Sequence, residues 1–163
     1  MITPSLRLAL LLTGLLSAAA LGTALASEYW GGLVPCALCL VERWPWRVAI
    51  VLAAVGVALP RPVIGWLLVL ALLAAAAGGL VHTGVEWGWW PSPLPACVAP
   101  DLSGLSIAER LARMPATPAK PCDEPAYLIP GLPVSMAEMN LLAGLALAEA
   151  LAIFLLRSRR IRP

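Results

Sequence analysis

Charge is what this chain has least of. Charged residues make up 12% of its 163 residues, against about 25% in a soluble globular domain. The net charge is only +2, so there is no electrostatic case for nucleic acid as a partner. Histidine occurs once, at His82. A zinc site built on one C-x-x-C pair needs a second close cysteine pair or a histidine pair. Neither is present, so no metal is expected. No segment alternates apolar and polar residues over the roughly ten residues of a membrane barrel strand. No βαβ pattern surrounds the cysteines, which excludes a thioredoxin domain in this chain. Internal repeats and disordered low-complexity tracts are missing too.

Apolar residues fill the space that charge leaves. They make up 61% of the chain, and the mean hydropathy is +0.88. Leu6 to Ala26, Val63 to Val81 and Met136 to Leu156 each approach or exceed the roughly 20 residues that cross a bilayer core as a helix. Arg7 opens the first, and Glu138 and Glu149 interrupt the last. A fourth segment is weaker. Val48 to Leu59 is short, and it reaches spanning length only through Ala37 to Val41 upstream. That extension works if Glu42, Arg43 and Arg47 lie near the interface or face protein. The expectation is an all-α, four-transmembrane-helix bundle forming one domain over 1–163. Its helices run over about 6–26, 37–59, 63–82 and 136–156, with outer loops of about 27–36 and 83–135.

Basic residues orient the bundle. Arg157, Arg159, Arg160 and Arg162 follow the last span, Arg61 sits in the Pro60-Arg61-Pro62 turn, and Arg7 precedes the first span. With four spans these fall on one side, which the positive-inside rule makes cytoplasmic. Arg110, Arg113 and Lys120 in the long loop blunt the bias. Asp101, Glu109, Asp123 and Glu124 count little in that rule. Both termini are then cytoplasmic, and Cys36, Cys39, Cys97 and Cys122 are all outside, where disulfides persist. Ala24-Leu25-Ala26 before Ser27 resembles a signal-peptidase site. The apolar stretch is longer than the usual signal core, so a retained first helix is expected.

The long loop carries Pro91-Ser92-Pro93-Leu94-Pro95, which no regular helix accommodates. Further on, Ser106-Ile107-Ala108-Glu109 is a capping box opening a short helix towards Met114. Ile107, Leu111 and Met114 share one face of it. That face can lie in the membrane interface or pack on protein.

The cysteines carry the chemistry. Cys36 and Cys39 form a C-x-x-C pair at the start of an apolar helix pattern, while Cys97 and Cys122 bracket a polar, proline-rich loop. A structural staple would be ordinary for the second pair. For Cys36 and Cys39 it stabilises little, because so short a loop removes little unfolded-state entropy. Redox work fits that pair better.

Cys36-Ala37-Leu38-Cys39-Leu40-Val41-Glu42-Arg43 resembles the C-x-x-C-x-x-E-R signature of the disulfide bond formation protein B (DsbB) family. Trp89-Trp90-Pro91-Ser92-Pro93 and Cys122-Asp123-Glu124-Pro125 are similar to that family as well, and the resemblance extends over essentially the whole chain. It implies a four-helix bacterial inner-membrane thiol:quinone oxidoreductase that supports disulfide bond formation, the relay that keeps the periplasm oxidising. A DsbA-like thioredoxin-fold thiol oxidase would attack the loop disulfide, with Cys97 taking the mixed disulfide. Cys122 would then attack Cys36, and Cys39 would hand electrons to quinone, ubiquinone ahead of menaquinone. Arg43, one helical turn after Cys39, would stabilise the thiolate and the reduced quinone. Pro45 leaves that geometry open, because it either kinks the helix or begins it. His82 would face a quinone carbonyl, with Glu86 a weaker candidate nearby. Trp30, Trp44, Trp46, Trp87, Trp89 and Trp90 are expected near the outer interface, as an aromatic belt first and a quinone wall second. Glu149 is expected to face the bundle, without an assigned role. The order of the cysteine pairs argues against a vitamin K epoxide reductase-like protein. A disulfide-stapled membrane scaffold is the non-enzymatic alternative.

Overall fold

The computed structural model describes residues 4–97, 103–112, 120–129 and 131–160. Among these residues the chain is helical and has no strand. Four long helices form the body: α1 (Pro4–Tyr29), α2 (Ala37–Ala58), α3 (Pro62–Glu86) and, last in the chain, α5 (Met136–Arg160). Between α3 and α5 lie a 3₁₀ turn, Pro95–Cys97, and the short α4, Ile107–Ala112. Expectations resting on Asp101, Arg113, Met114 and Arg162 fall outside the described residues.

Each boundary has a local cause. Cys36 caps α2 with extended backbone (φ −79°, ψ 172°), and its sulfur accepts the Cys39 N–H. Pro45 is therefore interior to α2. It denies the Val41 carbonyl its usual helical donor. Pro62 starts α3, where its missing N–H costs nothing. Gly88, at φ 70°, makes the left-handed turn beyond the end of α3. Ser135 opens α5 with a capping box that the sequence reading passed over: its N–H donates to Glu138 at 2.8 Å, and its Oγ accepts the Glu138 N–H at 3.2 Å. α1, α3 and α5 run past the expected ends at 26, 82 and 156. Apolarity marks where lipid would stop, not where backbone hydrogen bonding stops.

α3 lies at the centre, packed mainly on α5 and α2, and α1 packs mainly on α2. The core is built from Leu10, Ala49, Leu68, Leu72, Ala75, Ala148 and Leu151. Small residues set the closest approaches, as in membrane bundles generally. A Cβ on Gly79 would stand 2.6 Å from the Leu141 backbone nitrogen, and one on Gly144 would stand 2.8 Å from the Ala76 nitrogen. Leu6–Tyr29, Pro62–Glu86 and Met136–Ser158 are long and apolar enough to cross a membrane. Leu8, Leu15, Leu70, Leu142 and Leu156 point away from the bundle. The chain is a membrane protein.

Two expectations need correction. Glu149 is exposed rather than turned inward. The inner face of α5 is set by Gly144, Ala148, Leu151 and Leu155, and that helical spacing leaves position 149 outside. Trp46 does not join the exposed tryptophans. It is 4% exposed and faces the interior, whereas Trp30, Trp44, Trp87 and Trp89 are open. The α4 capping box forms as expected, with Ser106 N–H and Oγ both donating to Glu109, at 2.8 and 2.6 Å. None of α4 is buried, so this helix does not pack on the bundle.

Candidate functional site

The site is assembled where the first turn of α2 meets the last turns of α3. Cys36 is 3% exposed. Its sulfur accepts the Cys39 backbone N–H at 3.2 Å and lies 3.0 Å from the Cys39 sulfur. The hydrogen bond from the Cys39 thiol holds the Cys36 thiol below its ordinary pKa. Burial and the Glu42 charge oppose this, and the Cys39 backbone N–H assists it. Cys36 is thus disposed to be the thiolate of the pair, at the helix N-terminus where a negative charge is favoured.

His82, buried on α3, presents Nε2 to the Cys36 sulfur at 3.5 Å and Nδ1 to a Glu42 oxygen at 2.7 Å. The other Glu42 oxygen accepts from Asn140 Nδ2 at 2.7 Å. Asn140 in turn accepts from the Trp46 indole at 2.6 Å and donates to the Ala75 carbonyl at 3.2 Å. Glu86 lies 3.9 Å from His82 Nε2 and accepts from the Ser135 hydroxyl. A continuous polar chain therefore crosses α2, α3 and α5 inside an apolar bundle.

Arg43 turns inward beside this chain. Its Nη1 is 2.6 Å from a Glu28 oxygen on α1, and its Nε is buried without a hydrogen-bond partner. Arg47 instead lies over the exposed Trp44 ring, 4.9 Å from its centroid. The charges that weakened the second segment are accounted for: Glu42 and Arg43 face protein, and Arg47 stacks on an aromatic face.

The loop pair is a disulfide, Cys97–Cys122. Both sulfurs pack into one cluster with Cys36, Leu38 and Val85. Trp90 holds this arrangement at the end of α3. Its indole donates to the Val81 carbonyl at 2.9 Å and lies so close over Gly84 that a Cβ there would overlap the ring. All four cysteines thus gather at one end of the bundle.

A cavity of about 210 Å³ opens beside Cys39. Its polar lining comes from Cys39, Glu42, Arg43, His82 and Asn140, with Thr23 and Ser27 from α1. Most of the remainder is apolar, including Ala20, Leu21 and Ala143 from α1 and α5. The structure brings Cys39, Arg43 and His82 to one cavity, with Cys36, Cys97 and Cys122 just beyond it. Donor atoms of Cys36, Cys39 and His82 lie within 4.8 Å of one another. Three donors fall short of the four in a closed structural zinc site, and the hydrogen bonds above already engage them. We assign no metal there. Sequence reasoning missed Glu42 and Asn140 as site residues. The available signal was a carboxylate and an amide inside apolar helices, where polar groups are costly.

A family model described as disulfide bond formation protein DsbB matches residues 6–154 of the chain. An uncharacterized protein of Rickettsia prowazekii (strain Madrid E) is 31% identical over 144 residues, covering 86% of this chain and 82% of that protein. No solved structure matches.

Proposed function

The chain belongs to the disulfide bond formation protein DsbB family, and from that premise we propose that it oxidises a periplasmic DsbA-like dithiol and passes the electrons to membrane quinone. Family membership makes it an oxidoreductase of disulfide bond formation; the partner and the electron acceptor are the further step. One observation carries that step. The loop disulfide packs on Cys36, and Cys39, its C-x-x-C partner, lines a cavity together with Arg43 and His82.

Electrons enter at the loop. A partner thiolate attacks Cys97 and releases Cys122, which attacks Cys36 in turn and frees Cys39. Thiol exchange needs direct contact between sulfurs, and the shared packing of Cys36, Cys97 and Cys122 supports it. A quinone fits the cavity's chemistry: the unpartnered Arg43 Nε is a donor for a carbonyl oxygen, and the apolar wall suits the ring and tail. Quinone, ubiquinone ahead of menaquinone, supplies a two-electron, two-proton acceptor. Arg43 would hold one of its oxygens, His82 would serve the other once its Nε2 carries a proton, and Cys39 would face it. α2 is the fourth span of a single domain, its buried charges paired within the bundle. The membrane is the bacterial inner membrane, with both termini cytoplasmic and all four cysteines periplasmic, as the arginine distribution implies.

Separated half-reactions test this. With Cys97→Ser, the trapped adduct with the partner should disappear while quinone still reoxidises Cys36 and Cys39. With Cys39→Ser, quinone reduction should stop while partner exchange at the loop continues. Loss of the same half-reaction in both variants would refute the division of labour, and retention of both disulfides against a mild dithiol would mark a scaffold.

A further inference from the structure

Glu42 and Asn140 have no part in the scheme above, yet their placement is costly. A carboxylate and an amide lie inside an apolar bundle, each with its hydrogen bonds made. Partly satisfied buried networks are unfavourable, so a fully satisfied one that ends on a reactive sulfur invites a chemical reading. An ionised carboxylate only accepts hydrogen bonds. Across the 2.7 Å contact a neutral His82 ring donates from Nδ1 and leaves Nε2 bare. Bare Nε2 is the atom facing Cys36, at 3.5 Å. Thiol, imidazole and carboxylate in this order form the arrangement that activates nucleophiles elsewhere. Asn140 from α5 fixes the second carboxylate oxygen, and the Trp46 indole fixes Asn140. The ring is thus held from three helices.

We infer that Glu42, held by Asn140, is a positioning residue that sets His82 to take the proton of Cys36. In that step the Cys36 S–H bond breaks and an N–H bond forms at Nε2; no electrons move. The Cys36 thiolate then closes the disulfide on Cys39. Two electrons leave the pair for the quinone, which also receives two protons, one from Cys39 and one carried by His82. The Glu42 carboxylate, as the acceptor at Nδ1, stabilises the imidazolium. Other titratable groups facing His82 are Cys39 from α2 and Glu86 from its own helix, with Glu138 of α5 beside Glu86.

The inference rests on the oxidase reading, so its first test needs no quinone and no partner. Replacing Cys39, Cys97 and Cys122 by serine leaves Cys36 as the sole thiol, whose ionisation is followed by ultraviolet thiolate absorbance. His82→Phe should move that titration to higher pH by about one unit, the scale of one nearby charge. Glu42→Gln should move it the same way, and Glu42→Asp should restore part of the shift. The double variant should shift no further than His82→Phe alone. The direct field of Glu42 acts in the opposite sense, since its negative charge opposes Cys36 ionisation. A downward shift in Glu42→Gln would therefore overturn the inference. A purely structural Glu42 would lower the unfolding temperature and leave the titration unmoved, which would overturn it as well. In the full protein, Asn140→Leu should slow reoxidation of Cys36 and Cys39 about tenfold or more while the loop still exchanges with a small dithiol; an unchanged rate would remove Asn140 from the scheme. If the titrations behave as stated and quinone is still not reduced, the oxidase reading fails and the thiol–imidazole–carboxylate unit stands.

Discussion

Arg43 stands between the Glu28 carboxylate at 2.6 Å and the cavity it shares with Cys39. Its free Nε can serve an oxygen in that cavity while Nη1 keeps the ion pair. Losing one charge-assisted hydrogen bond in a partly desolvated site costs roughly 1.5–3 kcal/mol, or about 10- to 150-fold. Arg43→Ala should slow the quinone step by that factor and leave partner exchange near normal. Lysine keeps the charge without the planar fork, so Arg43→Lys should fall between alanine and wild type. Arg47→Ala, which removes only the stacking on Trp44, should leave the quinone step unchanged. Equal defects at 43 and 47 in quinone-reduction kinetics would make Arg43 an anchor only. Cys36 offers a pH test at the same scale. Its thiol is held low first by the Cys39 thiol hydrogen bond. A lowered thiol pKa means that the thiolate persists as pH falls below the ordinary value. A free cysteine is only a few per cent thiolate at pH 7, and reduced Cys36 should exceed that fraction. Cys39→Ala removes the donor and should move the Cys36 titration upward, as read by thiolate absorbance.

Among the elements, packing of α3 on α5 is the most demanding, because Gly79 meets the Leu141 backbone and Gly144 meets the Ala76 backbone. Backbone cannot step aside as a side-chain tip can. Gly79→Ala should cost about 1–3 kcal/mol as overpacking. Gly22→Ala on α1 is the control: nothing lies within 4 Å of the added methyl, and helix propensity favours alanine by about 1 kcal/mol. Unfolding in detergent should separate the two in opposite directions. The elements also explain what the sequence could tell. α1, α3 and α5 were legible because sustained apolarity is a local signal. α2 was legible only in part, since its first half carries Glu42, Arg43 and Arg47, and their partners lie on other helices or across a ring. The C-x-x-C pair was readable because its spacing is local. The link from Glu42 to His82 spans 40 residues, and the link to Asn140 spans 98; no periodicity reports such pairings. Glu149 was misplaced because the cost of a carboxylate in lipid was weighed without the face of α5 that small residues reserve for packing.

At the scale of the whole molecule, the bundle gathers its chemistry at one end. The loop disulfide, the C-x-x-C pair and the cavity follow one another there, while Arg61, in the turn between α2 and α3, and Arg157, near the end of α5, lie towards the other end. This order is what an electron path from outside the membrane into it requires. The most direct test is coupled turnover of the purified protein with a reduced DsbA-like dithiol and ubiquinone, following quinone absorbance and partner thiols together. The account expects one quinone reduced per partner disulfide formed, with turnover abolished by serine at Cys36, Cys39, Cys97 or Cys122. Partner oxidation without matching quinone reduction, or turnover that survives Cys39→Ser, would contradict it.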